Sequence, residues 1–203
     1  MSWKPEVDEI ESRRIAAQSM GGTEAVDRQH ERGRLTIRER LDALVDEGSL
    51  EEQAPIAGET ELDESGTAVA FHPANYLLSL ARVDGRRIVV GGEDFTQRGG
   101  SPSPAGLRRS VYAETLAIDL RIPLVRFLEG GGGSIAGTGG RKGAPGTASK
   151  AGISRLTGDA VYAPSRFLSI AQVMQVVPVA SAAVGAVAGL PAARLAASHF
   201  SVM

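Results

Sequence analysis

Residues 176–203 read VVPVASAAVGAVAGLPAARLAASHFSVM, the end of a chain that carries no charge from Phe167 to Ala193. A membrane helix needs about 20 mostly apolar residues, so length alone admits a span. Pro178, Gly185, Gly189 and Pro191 interrupt the run, and alanine dominates it in place of leucine. Hydropathy is therefore weak and breakers are frequent. Valines clustered at 176–179 predict a buried strand, Gly189 a tight turn, and LPAARLAAS a helix. Such a turn aims the free N–H groups of the helix start at whatever lies above the sheet. Small residues at these positions equally serve close helix–strand packing.

Working outward, the same alternation extends through the middle of the chain. SRFLSIAQVMQ reads as a helix before that strand, IPLVRFL as a buried strand, and AGLRRSVYAETLAIDL as a helix with Pro104 near its start. YLLSLARV and RIVVGGE are strands joined by Asp84-Gly85, a strong hairpin signal. TAVAFH is a further strand, and HFSVM starts another. Strand, glycine turn and helix recur, which predicts an α/β layer fold with some parallel pairing.

The first fifty residues are polar and helical. EVDEIESRRIAAQSM is one amphipathic helix, and TIRERLDALVDEGS another. In the second, Thr36 and Glu39 form a capping box, Gly48 marks the stop, and Ile37, Leu41, Leu44 and Val45 make one apolar stripe. Residues 1–50 are expected to be a helical arm on a domain spanning 51–203.

Composition excludes several functions. The 203 residues are 42% hydrophobic and 23% charged with net charge -2, ordinary for a soluble globular protein and unlike a nucleic-acid surface. There is no cysteine, hence no disulfide, thiolate zinc site or cysteine nucleophile. MSWKPEVDEIESRR lacks the basic-then-apolar pattern of a signal peptide. A cytoplasmic protein is expected, with no membrane span and no metal.

Three glycine-rich stretches follow strands. In FLEGGGGSIAG, Gly131, Gly133 and Ala136 fit a loose dinucleotide fingerprint, but the low-complexity GTGGRKGAPGTASKAG follows where a helix is required. No Walker A frame surrounds Lys142 or Lys150. In GGEDFTQRGGS, Arg98 beside Gly99 and Gly100 is a candidate phosphate contact. The Gly189 turn is the third. His30, His72 and His199 have no partner at ligand or triad spacing. Glu93, Asp94 and Glu129 end strands beside glycines and read as helix caps.

Four stretches, in order, resemble one family. RGRLTIRERLDALVDEGSLEE, VDGRRIVVGGEDFTQRGGS, DLRIPLVRFLEGGGGS and VPVASAAVGAVAGLPAARLAASHFSVM are similar to the N-terminal half of the carboxyltransferase (β) subunits of biotin-dependent acyl-CoA carboxylases. The resemblance covers residues 30–136 and 176–203. It implies a crotonase-like (ClpP/crotonase) ββα spiral with an oxyanion hole of backbone N–H groups. The family moves a carboxyl group from carboxybiotin to the α-carbon of an acyl-CoA, with the biotin ureido group as base.

Carried onto this sequence, the resemblance makes Gly189, Leu190, Gly132 and Gly133 the expected catalytic positions. It makes Arg98, Gly99, Gly100, Gly131 and Ser134 the expected CoA contacts. The family usually has a second glycine where Leu190 stands, and many relatives have an arginine where Ser134 stands; Pro191 removes the next donor. No Met-Lys-Met biotin-attachment motif is present. Acyl-CoA is the expected substrate, carboxybiotin being supplied by a partner. The expected partners are a biotin carboxylase/biotin carrier (α) subunit, the C-terminal carboxyltransferase half, and further copies of the chain. The alternatives are a non-catalytic remnant or scaffold, and a stand-alone crotonase-type acyl-CoA hydrolase or decarboxylase.

Overall fold

The computed structural model describes residues 2–131, 154–156 and 166–203. In chain order it contains α1 (Lys4–Gln18), α2 (Thr23–Glu31), α3 (Ile37–Leu44), β1 (Glu51–Glu52), β2 (Gly58–Leu62), β3 (Ala68–Pro73), β4 (Tyr76–Val83) and β5 (Arg86–Glu93). Then come α4 (Pro104–Leu120), β6 (Leu124–Gly130), β7 (Ser154–Leu156), α5 (Arg166–Val176), β8 (Val179–Val187), α6 (Leu190–Ala196) and β9 (Phe200–Val202). The uncharged run is thus divided among α5, β8 and α6. No helix among the described residues is long and apolar enough to cross a membrane.

The main sheet has the order β1-β4-β5-β6-β8-β9, with β5, β6, β8 and β9 paired in parallel. The β4–β5 hairpin turns through Asp84 and Gly85, both at positive φ (49° and 76°), as the Asp-Gly pair predicts. Successive side chains of a strand face opposite ways, and the central strands are buried on both faces. Leu78, Val89, Leu124 and Val179 meet Ala113 and Ala117 of α4 and Val173 of α5. On the other face Leu77, Ile88 and Val90 meet Ile37 and Leu41 of α3, with Leu44 and Val45 packed beside them.

The capping box is present: Thr36 Oγ1 accepts from Glu39 N–H at 3.4 Å, and Thr36 N–H donates to Glu39 Oε2 at 2.7 Å. The helix nevertheless stops at Leu44, well before Gly48. Val45 is extended (φ -94°, ψ 159°) because Asp46 is held elsewhere. Its N–H donates to Arg82 O at 2.8 Å, and its carboxylate accepts from the N–H groups of Asp84 and Gly85 at 2.9 and 2.8 Å. Tertiary hydrogen bonds to the hairpin outweigh another turn of helix.

A second feature departs from a simple reading of the strands in sequence order. β3 does not join the main sheet. It pairs with β2, which pairs with β7, in a separate antiparallel sheet.

Candidate active site at the carboxyl ends of the parallel strands

Three turns leave the carboxyl ends of β5, β6 and β8, the edge at which α/β sheets bind ligands. They touch one another through backbone alone. Gly131 N–H donates to Gly99 O at 3.4 Å, and Ala188 N–H donates to Gly130 O at 2.9 Å. A Cβ on Gly100 would stand 2.0 Å from Glu129 O, so no other residue permits this approach. Gly99–Gly100, Gly130–Gly131 and Ala188–Gly189 therefore form one continuous ledge.

Gly189 is the N-cap of α6, with φ 63° and ψ -127°. It takes a conformation that side chains disfavour and sets Leu190 as the first helical residue. The first N–H groups of a helix have no acceptor within it. Here those are Leu190 and Ala192, since Pro191 has none and Ala193 N–H returns to Gly189 O at 3.0 Å. Gly131 and Gly189 are both exposed, so the ledge faces solvent.

Sequence reasoning placed Gly99, Gly100, Gly131, Gly189 and Leu190 in one site, and the structure brings these five together. Arg98 follows a different course: its side chain is exposed and lines a neighbouring cleft with Glu59 and His72. Gly132, Gly133 and Ser134 lie outside the described residues. The three histidines are engaged elsewhere. His30 Nε2 meets Glu39 at 3.0 Å, His72 Nε2 meets Glu61 at 3.2 Å, and His199 Nδ1 accepts from Val179 N–H at 3.1 Å.

The supports of the ledge are charged, and composition gave no sign of them. On the α4 side of the sheet Glu114, fully buried, accepts from Arg126 Nη1 of β6 at 3.1 Å and from Arg194 Nε of α6 at 2.9 Å, and also from Ser169 Oγ of α5. Arg126 Nη2 donates to the carbonyls of Arg194 and Ala197 at 3.0 and 2.9 Å. A cation thereby closes the C-terminal end of α6, where the helix dipole favours it. This network fixes α6, and with it the Gly189–Leu190 turn, against α4, α5 and β6.

On the opposite face Glu129, also fully buried, is held by Arg40 of α3 and by Arg34 Nη1 at 3.3 Å. Arg40 Nη2 continues to Val184 O at 3.3 Å. The N-terminal segment thus bolts the end of β6, at the residue before Gly130 and Gly131, to β8. Contrary to the expectation from sequence, neither Glu93 nor Glu129 caps a helix; α4 is capped by Ser103, whose Oγ accepts from Gly106 N–H at 2.9 Å. Asp94 caps its own turn, accepting from Thr96 N–H at 3.0 Å.

Between these clusters lies Glu93, at the end of β5 and opposite Tyr76 in the β4–β5 register. Its Oε2 accepts from Glu129 N–H at 3.4 Å. Burial pushes its carboxyl up from the ordinary 4.5 to about 7, although Arg194 pulls the other way. Burial likewise pushes the Tyr76 hydroxyl up.

Residues 28–192 match the family model described as the carboxyl transferase domain. The chain belongs to this family. Among carboxyl transferase relatives, the propionyl-CoA carboxylase beta chain of Roseobacter denitrificans is 32% identical over 129 residues, 64% of this chain and 25% of that protein. The mitochondrial propionyl-CoA carboxylase beta chain of Rattus norvegicus is 34% identical over 131 residues, 63% of this chain and 24% of that one. The chain thus spans about a quarter of the length of the curated relatives it matches.

Among solved structures, the transcarboxylase 12S hexamer with methylmalonyl-coenzyme A and methylmalonic acid bound superposes with a TM-score of 0.74 at 21% identity. It covers 100% of this chain, which spans 36% of that one. A single-chain, multi-domain long-chain acyl-CoA carboxylase gives 0.65 at 25% identity over 97% of this chain, 19% of that one. The crotonase-like α/β fold implied by the sequence resemblance is the fold of this carboxyl transferase domain, in the part that corresponds to the N-terminal half of a β subunit.

Proposed function

We propose that this chain is the acyl-CoA-binding part of a carboxyltransferase that moves a carboxyl group from carboxybiotin to the α-carbon of an acyl-CoA. The observation that carries this reading is the ledge. Three glycine turns meet at the carboxyl ends of parallel strands and leave Leu190 N–H at the start of α6, in a chain of the carboxyl transferase family. Loss of the α-proton turns a thioester into an enolate whose charge sits on the former carbonyl oxygen. A preorganised backbone N–H stabilises that charge with no reorganisation at the moment of reaction. Leu190 N–H is the main donor, and Gly131 stands in the same ledge. Carboxybiotin, carried by a partner, supplies both the carboxyl group and the ureido base. This chain's share is to bind the thioester, orient its α-carbon and hold the oxyanion.

On this reading residues 51–203 hold the acyl-CoA, and residues 1–50 brace the site through Arg34 and Arg40. The partners are a biotin carboxylase/biotin carrier subunit and a C-terminal carboxyltransferase half that completes the site. Self-association is part of the proposal: β9 pairs on one side with β8, and its Phe200 and Val202 are 65% and 48% exposed, an apolar edge of the kind that seeks a partner.

The test is fixation of carbon-14 bicarbonate into acyl-CoA. The purified chain given biotin, ATP, bicarbonate and propionyl-CoA is expected to fix none. Adding a biotin carboxylase, a biotinylated carrier and a C-terminal carboxyltransferase half is expected to restore fixation. Label in the product from the chain alone, or none from the complete mixture, contradicts the proposal.

A further inference from the structure

The 94–103 loop, which carries Gly99 and Gly100 to the ledge, also walls a separate cleft of about 310 Å³ against the second sheet. Glu59, His72, Asn75, Gln97, Arg98 and Ser103 line it. Glu59 is 6% exposed, and no donor among the described residues reaches its Oε1. A buried acceptor left without a donor costs about 1–3 kcal/mol, so its neighbours matter. His72 stands directly across from it in the β2–β3 register, but gives its Nε2 to Glu61 Oε1 at 3.2 Å. Asn75 is spent on Ser101 O at 2.7 Å and Ser103 N–H at 2.9 Å. Gln97 Nε2 is spent on Asp94 Oδ2 at 2.8 Å.

Arg98 is the second unspent charge. No carboxylate among the described residues pairs with its guanidinium. Its backbone is also anomalous. Arg98, Gly99 and Gly100 have φ of 54°, 60° and 69°, three left-handed residues in succession. An L-residue in that region costs about 1–2 kcal/mol. The two glycines are needed for the ledge. Nothing in the ledge needs an arginine before them, where glycine would sit without strain. The fold therefore tolerates two local penalties, an unpaired acid and a strained base, and both line the same cleft.

We propose that this cleft binds a small zwitterion, an ω-amino acid, with its ammonium on the Glu59 carboxylate and its acid group on Arg98. Opposite charges on one ligand relieve both unpaired groups at once. The cleft lies at the small end of the range for ligand sites, which suits a molecule of a few carbons.

Calorimetric titration of the whole chain with glycine, β-alanine, 4-aminobutyrate and 5-aminovalerate tests this, with propylamine and propionate as single-charge controls. One length is expected to bind in the millimolar range or better, at least tenfold tighter than either control. Glu59→Gln and Arg98→Gly are each expected to weaken it at least tenfold while raising the Tm of the free chain. The first removes an unpaired buried charge and the second removes strain. Groups with a purely structural role would lower Tm instead. The proposal is overturned by a wild type that binds none of the amino acids at tens of millimolar. Binding unchanged in both variants, or variants that lower Tm, overturns it too. Displacement of the amino acid by CoA would assign the cleft to the acyl-CoA site and likewise overturn a separate one.

Discussion

Glu114→Ala is expected to lower the unfolding free energy by about 3–5 kcal/mol, the cost of leaving buried cations without their counter-ion. That is a large fraction of the roughly 5–15 kcal/mol that holds a domain folded. The effect is large because two guanidiniums depend on one carboxylate. Arg126 and Arg194 side chains are 1% and 2% exposed, and both donate to Glu114 Oε1. Water filling the space left by the side chain carries no charge to balance them. The contrast is Glu24, whose side chain is 94% exposed in its contact with Arg28; Glu24→Ala is expected to change stability by less than about 0.5 kcal/mol. Urea denaturation of the two variants beside the wild type gives the comparison. Equal midpoints for the two would mean that α6 is not held by this network.

The second large effect depends on pH. Glu93 titrates near 7 in the folded chain and near 4.5 when unfolded. Between those values the folded state binds the proton that the unfolded state has released, so rising pH removes stability across that window. A shift of this size corresponds to about 3 kcal/mol. Glu93→Gln keeps an oxygen acceptor for Glu129 N–H and has no charge to bury. Its advantage over the wild type is expected to be small near pH 5, to grow through pH 7, and to level off at about 3 kcal/mol by pH 8. Thermal or urea denaturation at several pH values checks this. A variant whose advantage stays constant with pH would show that Glu93 is not the group that titrates.

Much of this fold is legible because local chemistry and tertiary context agree. The Thr36–Glu39 box, the Asp84-Gly85 turn and the Gly189 turn each need particular residues for a local reason, and each stands where the sequence puts it. The ledge is legible for the same cause: strand ends followed by glycines are short-range signals. The second sheet is not. β2 is GETEL, half-buried and with its two glutamates alternating, so no apolar run announces it. The end of α3 is illegible too, because the competing bonds come from Arg82, Asp84 and Gly85, far along the chain.

Buried charge is the hardest to read. Arg126 sits inside PLVRFL, which looks the same in sequence whether its guanidinium reaches water or Glu114. The anomaly is an arginine set among Leu124, Val125, Phe127 and Leu128 of β6, and its partners are 12 residues away in Glu114 and 68 away at the carbonyl of Arg194. Spacing cannot reveal partners at such separations. The bracing of the ledge from the N-terminal segment is hidden likewise, since Arg34 and Arg40 lie in a polar helical region where arginine is ordinary and Glu129 is 95 and 89 residues distant.

The central claim is that the glycine ledge holds a CoA thioester, and calorimetric titration of the chain with acetyl-, propionyl- and longer acyl-CoAs tests it most directly. Leu190→Pro supplies the internal control: proline fits the first position of a helix and removes its N–H, and Leu190→Ala, which trims the same side chain but keeps the N–H, separates the two changes. Saturable binding below millimolar ligand is predicted, weakened by about tenfold in Leu190→Pro, the worth of one hydrogen bond. Failure of every thioester to bind at millimolar concentration would contradict the account and leave a carboxyl transferase fold that serves as a scaffold.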